Sequence, residues 1–337
     1  MVTKANCIAV MGIGAWGTTL ALQLARNGHQ VRLWSHDAQL AQDIQNQRVN
    51  KIFLPDIPLP NSIVVAHQAN AVMQDADAAM FVTASQFLRR GLETFKPYIR
   101  PELPLLNATK GLEESSLKTL LDVYAETLGA DVLRALAVLS GPNLSAEIAR
   151  QIPSTAVIAS QRADRSEYFQ NLLNSATFRV YTNDDVKGVY LGGTLKNVIA
   201  LAAGIIEGLG YGYNARAGLI VRGITEISRL GVALGARRET FYGLSGLGDL
   251  VCTCSPLSRN FSVGVDIGRG RKLPEILGSM VSVAEGVHTA RVAVTLAKRH
   301  AVDMPITQAT YAILFENLDP RTAAEQLMAR DPRPENI

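Results

Sequence analysis

The amino-acid sequence predicts an α/β fold in which a doubly wound parallel sheet is followed by an all-α C-terminal domain. Two observations carry this prediction. Up to about residue 182, short apolar runs alternate with helical patterns, which is typical of a parallel sheet covered by helices. From residue 186 onward, the apolar residues recur with helical spacing alone. We therefore expect two domains, over residues 1–184 and 185–337.

Each predicted element has its own signal. The strands are apolar runs bounded by turn residues, and they cover residues 8–11, 31–34, 78–83, 103–109, 135–140, 155–160 and 178–181. The first helix, over 18–26, ends at Asn27-Gly28, a typical C-cap. The helices of the second half are predicted over 186–207, 215–234, 261–267, 284–300, 307–315 and 322–330. Asp184 or Asp185 before the first of these and Asp319-Pro320 before the last are candidate N-caps.

The turn between the first strand and the first helix carries the pattern Gly-x-Gly-x-x-Gly. Gly12 allows a sharp turn off the strand, Gly14 lets the backbone approach a phosphate, and Gly17 lets the helix pack on the strand. The free N–H groups of the helix N-terminus attract anions. This setting indicates a Rossmann-type domain that binds the pyrophosphate of a dinucleotide. The alternative is a glycine-rich turn that binds nothing.

The end of the second strand bears on the choice of dinucleotide. A site selective for NAD usually ends this strand with Asp or Glu, which accepts hydrogen bonds from the ribose. Here the strand is followed by Ser35-His36-Asp37, and neither Asp nor Glu occupies the end of the strand itself. Ser35 and His36 could donate to a 2′-phosphate, and Arg32 is close in sequence. Asp37 could still turn toward a ribose, so NADP is favoured and NAD stays open.

Length and composition agree with a cytoplasmic protein of two domains. The chain has 337 residues and a formal net charge of +3, because 33 basic residues are nearly matched by 30 acidic ones. This near balance of charge does not indicate a surface that binds nucleic acid or a membrane. The best candidate for a membrane span, over 198–206, is shorter than the roughly 18 residues required. The spacing of Cys252-Thr253-Cys254 does not suit zinc, so we expect no metal site and a reducing compartment.

Two groups of candidate site residues follow predicted strands of the first domain. Lys110 comes directly after the run 103–109. A lysine at the carboxyl end of a parallel strand points into the ligand crevice of an open α/β sheet; the alternative is a solvated loop lysine. Ser140-Gly141-Pro142-Asn143 follows the next strand and opens a helix whose N–H groups are free for a ligand. Here the alternative is a plain N-cap at Asn143.

Lys196 lies in the middle of the long, glycine-rich and almost uncharged helix predicted over 186–207. Helical spacing places it on one face with Val189, Gly193 and Ala200. A lysine in so apolar a setting either extends its ammonium to water or has a chemical task. Burial would lower its pKa, which suits a general acid or base near neutral pH. We therefore favour a catalytic role.

A third cluster lies in the second half of the chain, where a glycine-rich stretch reaches Asp249 and Ser258-Arg259-Asn260 follows. The glycines suggest a close approach of the backbone to another group. Asp249 could hold an ammonium such as that of Lys196, or it could cap a helix. In Ser258-Arg259-Asn260 a helix start, an arginine fork and a side-chain amide coincide, which suits a phosphate monoester. The alternative is an ordinary N-cap at Ser258 beside an exposed arginine.

Motifs extend through nearly the whole chain: Gly12 to Gly17, Leu33 to Asp37, Ala108 to Glu113, Ser140 to Pro142, Leu191 to Ala200, Asn214 to Arg216, Gly246 to Leu250, Ser258 to Asn260, Val283 to Gly286 and Met304 to Thr307. In identity and order they resemble the bacterial NAD(P)-dependent sn-glycerol-3-phosphate dehydrogenases. The resemblance implies reduction of dihydroxyacetone phosphate by NAD(P)H to sn-glycerol 3-phosphate, a precursor of phospholipids. We also expect a homodimer.

The resemblance further implies roles for individual residues. Lys196 is the proton donor to the C2 oxygen in reduction and the base in oxidation. The substrate site consists of Lys110, Gly141, Asn143, Lys196, Asp249, Ser258, Arg259 and Asn260. The cofactor site consists of Gly12, Gly14, Ala15, Trp16, Gly17, Ser35, His36, Lys110, Ser145, Arg259, Val283 and Glu285. The chemistry agrees, because an ammonium near C2 both stabilises the developing alkoxide and donates the proton.

A few positions depart from the usual pattern of the family. Thr83-Ala84-Ser85 stands where Val-Pro-Ser is usual, Asn143 where Thr or Ser is common, and Ser145 where Ala is common. None of these changes removes a charged catalytic group, so we expect activity to persist and leave cofactor preference and affinity open. The first departure predicts a looser loop near the nicotinamide.

Two alternatives from other classes stay open at this point. A β-hydroxyacid or 6-phosphogluconate-type dehydrogenase would share the two-domain layout and a helix-borne lysine, but would be expected to lack Ser258-Arg259-Asn260 in this place. A non-catalytic NADP-sensing module would keep the glycine pattern without needing a lysine inside an apolar helix. Turnover assays with hydroxyacids and with phosphorylated ketones distinguish these two alternatives from a glycerol-3-phosphate dehydrogenase.

Overall fold

A computed structural model describes residues 5–280, 284–332 and 334–335. The strands are β1 (Cys7–Met11), β2 (Gln30–Trp34), β3 (Val49–Asn50), β4 (Leu54–Pro58), β5 (Ile63–Ala66), β6 (Ala78–Phe81), β7 (Leu105–Asn107), β8 (Leu112–Glu113), β9 (Lys118–Thr119), β10 (Ala137–Ser140), β11 (Ser154–Ala159) and β12 (Phe178–Asn183). In the described residues after β12, all regular elements are helical.

The helices are α1 (Ala15–Arg26), α2 (Ala38–Gln47), α3 (Ala69–Met73), α4 (Leu88–Phe95), α5 (Leu120–Leu128), α6 (Val132–Ala135), α7 (Ser145–Ala149), α8 (Ala163–Leu173), α9 (Val186–Gly208), α10 (Tyr213–Ala233), α11 (Asp249–Thr253), α12 (Arg259–Gly268), α13 (Leu273–Gly278), α14 (Glu285–Arg299), α15 (Pro305–Phe315) and α16 (Pro320–Met328). Short 3-10 helices cover Ser85–Phe87, Lys96–Tyr98 and Arg238–Tyr242, and a π-helix covers Leu244–Gly248.

The central sheet has eight strands in the order β12-β11-β10-β7-β6-β1-β2-β5. This order confirms the predicted doubly wound fold followed by a helical domain. Neighbouring strands are parallel except for β10 and β11, which pair antiparallel, Leu139 opposite Ile158. A parallel pair needs a crossover that carries the chain back along the whole sheet. Between β10 and β11 stands only the five-residue α7, which is too short for that return.

The buried residues of β1 show how the sheet receives helices on both faces. Ile8 and Val10 pack with Leu20 of α1 on one side. Ala9 and Met11, which alternate with them, pack with Leu92 of α4 on the other. Because successive side chains of a strand point to opposite faces, one fully apolar strand serves two hydrophobic layers. The layer that contains Met11 continues into the helical domain through residues of α9.

The helical domain is built around α9, which contacts α10, α11, α12, α14 and α15. Its N-cap is Asp185, the second of the two predicted candidates. The Asp185 carboxylate accepts hydrogen bonds from Gly188 N at 2.9 Å, Arg237 N at 2.9 Å and Thr240 Oγ1 at 2.7 Å. The predicted cap of the last helix is also confirmed, since Asp319 Oδ2 accepts from Thr322 N at 2.9 Å.

The expectation that no segment is long and apolar enough to cross a membrane was wrong. The 23 residues of α9 meet that criterion by length and composition, with a mean hydropathy of 1.6 over the most apolar window. However, 94% of that window is buried inside the protein. A helix enclosed by neighbours on all sides is apolar all round for the same reason that a membrane span is. We interpret α9 as the core helix of the domain.

The crossing of α9 and α12 depends on glycines from both helices. A Cβ on Gly204 of α9 would lie 2.0 Å from the carbonyl oxygen of Phe261, and a Cβ on Gly264 of α12 would lie 2.1 Å from that of Leu201. One turn further, Gly208 and Gly268 approach each other in the same way. The two backbones are therefore in direct contact, which the sequence analysis did not predict.

We expect Gly264→Ala to destabilise the protein by about 1–3 kcal/mol, because the added methyl group forces the two helices apart. The matched control is Gly218→Ala, on the exposed face of α10, where a Cβ meets nothing within 4 Å. This change should be neutral or stabilise by up to about 1 kcal/mol through helix propensity. Urea unfolding of the three proteins measures both effects, and equal midpoints for Gly264→Ala and the wild type would contradict the packing argument.

Candidate active site

The three glycines after β1 serve two different purposes. Gly12 has a φ of +132°, and a Cβ there would lie 2.5 Å from the carbonyl oxygen of Val82. A Cβ on Gly17 would lie 1.8 Å from the carbonyl oxygen of Gly12. These two glycines therefore allow the turn and the packing of α1. At Gly14, by contrast, a Cβ meets no atom of the described chain within 4 Å. Open space thus adjoins the N-terminus of α1, as a pyrophosphate site requires.

Several buried polar atoms around this edge of the sheet have no hydrogen-bond partner within the described chain. They are Trp16 Nε1, Thr83 Oγ1, Ser140 Oγ and Asn143 Oδ1. The residues after β1, β6, β7 and β10 meet at one edge because these strands are parallel neighbours. Buried polar groups in native proteins are almost always paired, so orphans gathered at one edge indicate a missing ligand. The residues present fit a dinucleotide with a polar substrate beside it.

The loop after β2 offers few free groups. Asp37 caps α2 by accepting a hydrogen bond from Leu40 N at 3.0 Å, and Ser35 Oγ accepts from Asp37 N at 3.1 Å. Arg32 donates to the carbonyl oxygens of Ala71 and Gln74, so its guanidinium is bound at the end of α3. His36 is exposed. Of the groups considered for the ribose end of the cofactor, His36 is therefore the most accessible.

The centre of the site is a carboxylate shared by two ammonium groups. Asp249, at the start of α11, is buried, with 1% of its surface exposed. Its Oδ2 lies 2.6 Å from Lys110 Nζ and its Oδ1 lies 2.5 Å from Lys196 Nζ. Lys110 follows β7, whereas Lys196 is in the middle of α9. The interpretation that Asp249 holds the Lys196 ammonium is confirmed, and both halves of the chain contribute to the cluster.

The electrostatics of the cluster bring Lys196 close to neutral pH. Burial, together with the positive charge of Lys110, lowers the pKa of Lys196 to about 8. The negative charge of Asp249 opposes this shift. The ammonium also donates a hydrogen bond to Thr253 Oγ1. A lysine with a pKa near 8 is mostly protonated at pH 7 and can still release its proton, which is the property required of a general acid–base catalyst.

The close approach of α9 to the sheet explains how Lys196 reaches this place. A Cβ on Gly193 would lie 2.1 Å from Ser140 Oγ and 3.5 Å from Lys110 Cε. The missing side chain at Gly193 therefore lets α9 pack directly against the end of β10. Lys110 is also bound on the strand side, since its Nζ donates to the carbonyl oxygen of Gly141 at 3.2 Å.

Of the residues in Ser258-Arg259-Asn260, only the arginine is uncommitted. Ser258 caps α12 by accepting from Phe261 N at 3.4 Å. Asn260 donates to Asn197 Oδ1 at 3.0 Å and accepts from Gly286 N at 3.0 Å. Arg259 is exposed and has no hydrogen bond or ion pair with the described residues. Its guanidinium at the start of α12 is thus available to an anion.

The remaining predicted residues have mixed outcomes. Asn143 donates to the carbonyl oxygen of Thr155 at 2.9 Å, and Leu144 is the N-cap of α7, so the plain N-cap alternative for Asn143 was wrong. The backbone carbonyl of Ser145 accepts from Thr19 Oγ1 at 3.2 Å. Ala15 is the first residue of α1, beside Gly14. Val283 lies outside the described residues.

Glu285 connects the helical domain to the loop after β6. Its Oε1 accepts a hydrogen bond from Ser85 N at 2.9 Å, and its Oε2 accepts one from Ser85 Oγ. Burial raises the pKa of Glu285 from its ordinary value. The Thr83-Ala84-Ser85 loop, which we expected to be looser than in the family, is therefore attached at Ser85 by two hydrogen bonds.

Two residues that support the lysines were missed by the sequence analysis. Thr253 contacts Lys196 and lies one helical turn after Asp249, a spacing that could have indicated it. Tyr190 of α9 accepts from Leu120 N at 2.9 Å and donates to the carbonyl oxygen of Gly111. No sequence pattern indicates this second contact, because it joins positions 79 residues apart.

A doubly wound sheet with open space at its glycine turn, joined to a helical domain that supplies a buried lysine, defines a dinucleotide-dependent dehydrogenase of two domains. Family models described as NAD-dependent glycerol-3-phosphate dehydrogenase, N-terminus and C-terminus, match residues 7–166 and 185–325. The chain belongs to this family.

Individual proteins agree with this assignment. The chain is 46% identical over 329 residues to the glycerol-3-phosphate dehydrogenase (NAD(P)+) of Syntrophotalea carbinolica, covering 97% of this chain and 99% of the relative. The crystal structure of glycerol-3-phosphate dehydrogenase from Coxiella burnetii has a TM-score of 0.92 at 38% identity, covering 97% and 99% of the two chains. A D-mandelate dehydrogenase, at 12% identity and a TM-score of 0.60, covering 94% and 98%, shares the fold alone.

We expect Asp249→Asn to lower the pKa of Lys196 below about 8, because the change removes the negative charge that favours the ammonium while Lys110 stays close. Competitive acetylation across a pH series, read by peptide mass spectrometry, reports this pKa as a shift of the labelling midpoint to lower pH. The control is Asp266→Asn, which removes a carboxylate from the partly exposed pair with Arg271. An unchanged or higher midpoint in Asp249→Asn would refute the electrostatic account.

Proposed function

We propose that this protein is an NAD(P)-dependent glycerol-3-phosphate dehydrogenase that reduces dihydroxyacetone phosphate to sn-glycerol 3-phosphate for phospholipid synthesis. The observation that carries the proposal is the buried carboxylate of Asp249 between Lys110 and Lys196. The family membership and the activity for which the relatives are named support it. The experiment that tests it is oxidation of NADPH, and separately of NADH, with dihydroxyacetone phosphate as substrate.

The cofactor would be held by residues at the carboxyl ends of the strands. The pyrophosphate would lie against Gly12, Gly14, Ala15 and Gly17 at the N-terminus of α1, and the orphaned Trp16 Nε1 would donate to the ligand. Ser35 and His36 would contact the adenosine end. Lys110, Ser145, Arg259, Val283 and Glu285 complete the proposed cofactor site. When bound, the reduced nicotinamide supplies the hydride that C2 of the substrate accepts.

Lys196 is the proposed general acid. As C2 accepts the hydride, negative charge develops on the carbonyl oxygen, and the Lys196 ammonium stabilises this charge and donates its proton. Asp249 favours the charged form of the lysine, while Thr253 Oγ1 orients its Nζ. Lys110 places a second positive charge on the same side. In the oxidative direction, neutral Lys196 accepts the proton from the C2 hydroxyl.

The phosphate end of the substrate would be anchored by Arg259 at the start of α12. A guanidinium binds phosphate through two parallel hydrogen bonds, and the helix N-terminus adds N–H donors. This binding energy orients the carbonyl toward Lys196. Gly141 and Asn143 would bound the opposite side, where Asn143 Oδ1 lacks a partner. Ser258 and Asn260 complete the proposed site, Asn260 through its hydrogen bond to Asn197.

We also propose that the functional boundary between the cofactor domain and the substrate domain lies at residues 184/185, that the protein works in the cytoplasm, and that it does so as a homodimer. The end of β12 at Asn183 and the start of α9 at Val186 support the boundary. The family membership is the reason for proposing the homodimer. Light scattering during size-exclusion chromatography tests the dimer.

Lys196→Ala should lower the rate of reduction by about 10²–10⁴-fold, because the general acid is removed, while NADPH affinity stays within a few-fold of the wild type. Steady-state kinetics and NADPH fluorescence titration give the two quantities. Lys187→Ala is the matched control, since Lys187 is an exposed lysine of the same helix. A Lys196→Ala protein that retains more than about a tenth of the wild-type rate would exclude this role.

Gly14→Val should weaken NADPH binding at least about tenfold, since the branched side chain fills the opening where the backbone would meet the pyrophosphate. Gly14 has a negative φ and a Cβ meets no atom of the described chain, so the variant should fold normally. Gly218→Val on exposed α10 controls for the valine itself. Wild-type NADPH affinity in a folded Gly14→Val protein would argue against the proposed cofactor site.

Arg259→Lys should raise KM for dihydroxyacetone phosphate about tenfold or more, equivalent to about 1.4 kcal/mol, because an ammonium cannot reproduce the bidentate fork. Unphosphorylated dihydroxyacetone, which has no phosphate to bind, should be affected much less. KM is measured for both substrates with the wild type and with Arg259→Lys. Equal losses would mean that Arg259 acts through the cofactor or the fold.

A further inference from the structure

A cavity of about 560 Å³ lies in the helical domain and shares no residue with the lysine–aspartate cluster. It is bounded by α10, the 3-10 helix Arg238–Tyr242 and the segment at Glu335. Its lining includes the side chains of Arg222, Arg229 and Arg238. The volume is in the range of small-molecule sites, and the three arginines of the lining outnumber its one acidic residue, Glu335.

Arg229 is the unusual member of this lining. Its Nε and Nη2 are buried, and neither has a hydrogen-bond partner in the described parts of the chain. The same two nitrogens of Arg89 bind Glu113, with distances of 3.0 Å from Nε to Oε1 and 2.7 Å from Nη2 to Oε2. This edge of a guanidinium matches two oxygens of one carboxylate or phosphate. Arg229 thus has a complete bidentate donor edge that is shielded from water and has no acceptor among the described residues.

No acidic side chain of α10 neutralises Arg229. The single acidic residue of this helix, Glu226, accepts hydrogen bonds from Ile306 N at 2.6 Å and from Thr307 N at 3.1 Å. Its carboxylate is therefore bound to the first turn of α15. Glu335 lines the cavity, and its backbone carbonyl lies 3.5 Å from Arg222 Nη1. A guanidinium partly withdrawn from water without a counter-charge is costly, and an anion in the cavity would remove that cost.

We propose that this cavity binds an oxyanion with two or more negative charges, of the phosphate or polycarboxylate class, through Arg229 and Arg222. The fork of Arg229 supplies the bidentate contact, and Arg222 supplies a second positive charge from one to two turns earlier on α10. Because the two orphaned nitrogens are shielded from water, a ligand reaches them by a change of the Arg229 side-chain torsions, which no hydrogen bond opposes.

The test is isothermal titration calorimetry with pyrophosphate and with citrate at constant ionic strength. It is performed in an Arg259→Gln background, so that binding of these anions at the proposed substrate site does not contribute. We expect one of the two anions to bind, and Arg229→Gln to weaken that binding at least tenfold. Arg269→Gln, an exposed arginine of the same charge outside the cavity, should leave it unchanged.

Binding of neither anion, or equal binding with and without Arg229, overturns the proposal. Thermal unfolding without added anion gives an independent readout, because Arg229→Gln removes an unpaired charge and should not lower Tm. A clear fall in Tm would mean that Arg229 has a structural partner, and would also overturn the proposal. Arg222→Gln, which should weaken binding in the same direction, keeps the test decisive if Arg229→Gln fails to fold.

Discussion

The buried carboxylate of Asp249 is the interaction on which the rest of this structure depends. It binds two ammonium groups, Lys110 from the end of a strand and Lys196 from the middle of a helix. A buried ion pair is stable only when each charge is satisfied by good geometry. The strand end, α9 and α11 must therefore meet within a few ångströms, and Gly193 permits this because any side chain there would collide with Ser140.

The central helix α9 serves both the core and the chemistry. It is enclosed by other helices, so almost all of its residues are apolar, and its glycines allow the backbones of α12 and the strand ends to approach. The same enclosure lowers the pKa of Lys196, since burial disfavours the ammonium. Burial in the same apolar core that stabilises the domain thus brings the pKa of Lys196 close to neutral pH.

Contacts from α14 also join the two halves of the chain near the site. Glu285 at its start binds the backbone and hydroxyl of Ser85, and one to two turns later His288 and Arg291 pair with Glu114. Ser85 follows β6 of the central sheet, and Glu114 follows β8, which pairs with β9 in a separate two-stranded sheet. Since Lys110 lies close to Glu114 in sequence, these contacts hold the segments of the first domain that carry Ser85 and Lys110 against the helical domain, which supplies Lys196 and Asp249.

The sequence by itself determined the fold class, seven of the eight strands of the central sheet (all but β5) and the candidates for the chemistry-bearing side chains, because these depend on local periodicity, turn residues and residue type. Only the tertiary structure decided how those side chains pair. The joint contact of Lys110 and Lys196 with Asp249, the full commitment of Asn260 to Asn197 and Gly286, and the antiparallel β10–β11 pair all join distant positions. Such contacts depend on the packing of whole elements, to which local sequence patterns are insensitive.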